Sequence, residues 1–168
     1  MVRFAVEHFL ALLDESFAGD GAHSLLGNIR DLRGDDWEWR PRGGERTVRE
    51  IFEHAAIAKH LNAEHLFGAA ERVYADVHNA SPLRARPGDT EALLAWAREG
   101  HAAFVAGMAA LRDADLDAPT RRWHGAMHTN AFAIGATIQH DCYHAGEINH
   151  LRALRLGDDA WSPGLERK

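Results

Sequence analysis

Hydrophobic positions recur about every 3.6 residues along four long stretches, the pattern of amphipathic helices, and nowhere show the alternation of a strand. The first predicted helix runs from Phe4 to Phe17, with Phe9, Leu10, Leu12, Leu13 and Phe17 as its apolar stripe and Gly19 and Gly21 ending it. A short helix over residues 22–32 follows, then irregular chain through Trp37, Trp39 and Pro41. The second long helix starts at Thr47. There Thr47-Val48-Arg49-Glu50 has the form of a capping box, in which the threonine oxygen and the glutamate each satisfy an orphan amide. It extends to Phe67, ahead of Gly68.

A loop with Pro82, Pro87 and Gly88 leads to a third helix, capped by Asp89 or Thr90 and reaching Leu111. Gly100 and Gly107 share one face of it, each costing about 1 kcal/mol against alanine, a cost that close approach to a neighbouring helix would offset. A polar loop with Pro119 precedes the fourth helix, Ala131–Leu156, capped by Thr129 or Asn130 and stopped at Gly157. Four such helices in one compact unit predict an all-α fold, a four-helix bundle, with residues 1–168 as one domain.

Composition narrows the function. Hydrophobic residues make up 46% of the 168 and charged ones 26%, as in ordinary soluble domains. The formal charge of −6 disfavours a phosphate backbone, so no nucleic-acid partner is expected. No run of about 18 apolar residues exists to span a membrane, and an acid at Glu7 interrupts any signal-peptide core, so a cytoplasmic protein without membrane contact is expected. A single cysteine, Cys142, excludes an internal disulfide framework and a cysteine-built zinc finger. Twelve histidines are the compositional anomaly.

Position separates those histidines. His140 and His144 lie one turn apart on the stripe Ala133, Ala136, Thr137, His140, His144, Ile148, Leu151, which turns both imidazoles inward. Two neutral imidazoles at this spacing can chelate one divalent ion. His54 is the one imidazole on the inward stripe Ile51, His54, Ala58, Leu61 of the second long helix, and adjacent bundle helices can bring it to the pair. Three nitrogens with other positions open make a catalytic rather than a closed structural site, suited to zinc, nickel, copper or iron. The competing reading is hydrogen-bonded core histidines with no metal.

His65 is three turns from His54 and too far to share its ion. His150 is a reserve ligand. His60 and His78 read as solvent-facing or loop-placed, and His8 and His101 as half-buried caps. Asp141 and Glu147 are candidates to hold an imidazole N–H or act as general base, with surface or packing roles as the alternative. Cys142 falls on the far side of the helix from both histidines. Glu147-Ile148-Asn149-His150 has the Glu-x-x-His form of di-iron bundles, but no second copy exists. The tryptophans, Trp161 among them, read as core and loop anchors, with Trp123 placed to line a pocket mouth. The charge runs 30–36 and 113–117 read as solvated loops.

Two stretches together carry a family resemblance: Trp37-Glu38-Trp39-Arg40-Pro41 leading into Arg46-Thr47-Val48-Arg49-Glu50-Ile51-Phe52-Glu53-His54, and His140-Asp141-Cys142-Tyr143-His144-Ala145-Gly146-Glu147-Ile148-Asn149-His150-Leu151-Arg152. With the four-helix spacing, the chain resembles the DinB/YfiT-like family of metal-binding helical proteins. The resemblance implies an up-down-down-up bundle, often a homodimer, with His54, His140 and His144 as ligands to zinc or nickel. It further implies a metal-dependent, thiol-dependent S-transferase or isomerase that joins a low-molecular-weight thiol (bacillithiol, mycothiol) to a small electrophilic substrate. A metal-dependent hydrolase and a non-catalytic metal- or ligand-binding stress-response protein remain open, because family membership does not fix activity.

Overall fold

A computed structural model describes residues 3–19, 23–44 and 46–157 of the chain. Trp161, Gly21 and the expected helix start at Ala22 lie outside the described residues. The described chain is mostly helical, in the order α1 (Phe4–Ala18), α2 (Leu25–Ile29), α3 (Gly34–Glu38), α4 (Val48–Phe67), α5 (Tyr74–Asn79), α6 (Pro82–Ala85), α7 (Thr90–Ala109) and α8 (Asn130–Leu156). The four long helices start and stop where local chemistry dictates. Thr47 accepts from the Glu50 amide while the Glu50 carboxylate takes the Thr47 amide, completing the expected capping box. Asp89 caps α7 through the Ala92 amide and Thr129 caps α8 through the Phe132 amide. Gly157 closes α8 in the left-handed region, at φ 78°.

Helix α4 packs against α7 and α8, and α1 packs against α8 and α7. Its contact with α7 is the most extensive, and the two glycines explain it. A Cβ at Gly100 would meet the His60 ring, and one at Gly107 would overlap the Phe67 ring, so both aromatic groups of α4 sit directly on α7 backbone. One core region gathers Trp37, Phe52, Leu93 and Ile148; a second holds Leu13, Phe104, Met108 and Ile134.

The connections depart from expectation. Where a loop was expected after α4, Ser81 caps the single turn α6 and Pro82 stands at its first position, where no donor is lost. The polar segment before α8 is a two-stranded antiparallel ribbon, β1 (Pro119–Arg121) paired with β2 (Met127–Thr129), turned at Gly125 with φ 91°. Strands of three residues are too short to display an alternating pattern. Residues 113–117 are not a solvated loop but a short 3-10 turn, and Asp113 accepts from the amides of Ala5 and Val6 at the otherwise uncapped start of α1. No described helix is long and apolar enough to cross a membrane.

Candidate metal centre

Helices α4 and α8 run side by side and present His54, His140 and His144 to one another. His140 Nε2 lies 3.3 Å from His54 Nε2 and 3.2 Å from His144 Nε2, and one ligand atom from each residue lies within 4.8 Å of the others. Donors bound to one ion at 2.0–2.1 Å in tetrahedral geometry stand about 3.3 Å apart. The two spacings through His140 match those around a shared first-row cation. Among the described residues this is the one group of three or more such side chains with that convergence.

Protonation favours the same role. Burial is the main force lowering the pKa of all three rings. For His140 the depression reaches about 3, with the neighbouring positive charge of His144 and then His54 adding to it. For His54 the next contributions are His144 and Arg46, against a smaller opposing pull from Glu147. At neutral pH the rings are uncharged, the form a metal requires. His144 Nδ1 stands 2.9 Å from Glu147 Oε2, and since a carboxylate only accepts, that nitrogen carries the proton and Nε2 keeps its lone pair. Glu147 is held in turn by an ion pair with Arg46, from the segment just before α4. The Tyr74 hydroxyl lies 3.4 Å from His54 Nδ1. Protons alone satisfy the two N···N contacts only if His140 shares one N–H between both neighbours. A single cation among the three satisfies every lone pair, so the donor set fits a metal.

The other expected residues divide. Glu147 stands beside the triad on the His144 side. Asp141 does not join it: one residue past His140 is about 100° around the helix, and its carboxylate instead pairs with Lys59 and accepts from Ser16. Cys142 is half-buried and burial raises its pKa, so it is no ready thiolate. His150 is exposed on the edge of a cleft with Arg46 and Glu147. Trp123 stacks at an angle on Tyr74, with centroids 6.1 Å apart.

Four other histidines have different surroundings from those expected. His60 is half-buried, stacked on Trp96 and bonded to its carbonyl, while His78 lies on α5 against Tyr74. His101 is half-buried in mid-α7, stacked on Phe17 and bonded to Asp14, whereas His8 is exposed within α1.

Three contributors were not assigned roles from the sequence. Arg46 and Glu147 are 101 positions apart, and Tyr74 sits on a helix too short for a periodic signal. Lys59 did leave a trace, a lone lysine inside the apolar run from Ala55 to Leu61.

A family model of the DinB superfamily matches residues 21–148, a span that includes all three histidines and Glu147. The chain belongs to the DinB superfamily. No curated protein matches it.

Proposed function

We propose that this chain is a metal-dependent enzyme in which His54, His140 and His144 hold one divalent ion, zinc or nickel, and which transfers a low-molecular-weight thiol to a small electrophile. The observation that carries the reading is the meeting of three imidazole nitrogens between two packed helices, His140 Nε2 standing 3.3 and 3.2 Å from those of His54 and His144 and all three within 4.8 Å of one another. Gly100 on His60 and Gly107 on Phe67 set α4 and α7 parallel, which supports the up-down-down-up bundle that the family resemblance implies. When bound, such an ion supplies Lewis acidity, which lowers the pKa of a thiol or water in the remaining positions.

The chain's own groups prepare that chemistry. Burial keeps the three rings unprotonated, and the Arg46–Glu147 pair fixes the tautomer and tilt of His144. Tyr74 limits the rotation of His54 from the opposite side. Replacing Glu147 by glutamine removes the charged acceptor behind His144, and a 10- to 100-fold loss of zinc affinity is expected, read by competition with a chromogenic chelator.

Activity is tested on zinc- and nickel-loaded protein with low-molecular-weight thiols and model electrophiles, following loss of free thiol. Turnover that disappears in His144→Ala, with unchanged helical circular dichroism, supports the enzyme. Absence of turnover across both metals and all thiols contradicts it.

A further inference from the structure

A cleft of about 350 Å³ opens beside His54, lined by Arg46, Glu53, Tyr74, His78 and Arg84 among others. That size suits a small molecule rather than a macromolecule. Its charge is arranged in depth. Glu53 is 9% exposed and takes Ser81 Oγ and Arg84 Nη2, the latter at 2.9 and 3.1 Å. Arg84 is 42% exposed and spends only that one nitrogen on the pair. Arg46 repeats the pattern: it holds Glu147 through Nη2 and is 40% exposed against 25% for its partner. The cleft's other carboxylate, Glu50, is 45% exposed and is engaged by Arg40 and by the Thr47 amide. Glu53 and Glu147 are therefore less exposed than the arginines that hold them, each through one nitrogen, while the exposed Glu50 carries its own partner in Arg40. A planar guanidinium fork fits a carboxylate in two parallel hydrogen bonds.

We propose that this cleft takes a carboxylate-bearing small molecule, with Arg84 and Arg46 as its anion-binding residues. The proposal rests on the triad being the reacting centre, since only then is an anion held beside His54 a substrate. Such a ligand, seated on the arginines, would lie against the ring that forms one wall of the triad, with Tyr74 and His78 providing the aromatic flank.

The test is calorimetric titration of succinate into tag-free protein, first stripped with a chelator and then reloaded with zinc. Succinate should bind in both forms and its neutral isostere succinamide in neither. Arg84→Gln should weaken succinate binding at least ten-fold. Because Arg84 neutralises a buried glutamate, Arg84→Lys serves beside it: it keeps the charge, loses the fork, and should weaken binding several-fold with the fold intact. Arg46→Gln should weaken it as well.

Equal binding of succinate and succinamide, or unchanged binding in all three variants, would overturn the proposal. Inorganic phosphate binding more tightly than succinate would overturn the assignment to a carboxylate. Elemental analysis of the same samples separates the two claims. Zinc uptake without succinate binding removes the anion site and leaves the metal reading, whereas succinate binding without zinc uptake upholds the anion site and removes the metal reading.

Discussion

Asp141→Asn should lower the unfolding free energy by about 3–5 kcal/mol, measured by urea denaturation. Asp141 and Lys59 are each 1% exposed and pair with each other across the α4–α8 contact. Ser16 of α1 donates to the same carboxylate, and the Lys59 ammonium lies 5.6 and 5.8 Å from the ring centres of Phe17 and Phe104. Removing the negative partner leaves an ammonium among aromatic rings with no water to solvate it. Most of the loss comes from that stranded charge, because attraction within the pair is largely offset by the cost of drying both ions. Lys59→Met should cost a similar amount for the mirrored reason. The double variant Lys59→Met/Asp141→Leu should recover to within about 1 kcal/mol of the parent, since apolar groups of similar size suit the surroundings. Single variants that cost under about 1 kcal/mol would show the pair to be hydrated or dispensable.

The second large effect is acid sensitivity of the metal-free protein. His140 titrates near 3 in the folded chain against an ordinary value of 6.5. The unfolded chain therefore binds more protons than the folded one between those limits, and stability falls as pH drops through them. One such ring contributes about 1.4 kcal/mol per pH unit. Between pH 6.5 and 5, above the range of most carboxylates, the loss from His140 alone is about 1.6 kcal/mol. His54 and His144 are depressed too and act in the same direction. His140→Gln should flatten the pH dependence of the urea midpoint in that window, while leaving the steeper loss below pH 4.5 that carboxylates cause. A variant with the parent's slope would contradict the buried, neutral state assigned to this ring.

How much of this was legible before the structure depended on the range of each signal. The four long helices were readable because caps and stripes are local: Thr47 and Glu50, Asp89, Thr129 and Gly157 act within one turn of the chain. The triad was readable because His140 and His144 share a helix face, and because His54 interrupts an otherwise apolar stripe. Its closure across 86 positions required only that two inward faces meet. Gly100 and Gly107 likewise announced a close helix contact without naming His60 and Phe67 as its other side.

The groups that tune the site were another matter. Nothing near Glu147 in sequence specifies Arg46, and nothing near Glu53 specifies Arg84, because those pairings are set by where α6 and the segment before α4 come to rest. Asp141 shows the limit within a single helix. Its adjacency to His140 suggested a shared task, yet one residue of helical rotation hands it to Lys59 and to a structural role.

Elemental analysis of protein purified without an affinity tag, in parallel with His54→Ala, His140→Ala and His144→Ala, tests the central claim most directly. One equivalent of zinc or nickel per chain is expected in the parent, and a large loss in each variant while helical content is retained. Parent protein that carries no stoichiometric metal and takes none up from added zinc or nickel would contradict the account, leaving three core imidazoles that share protons.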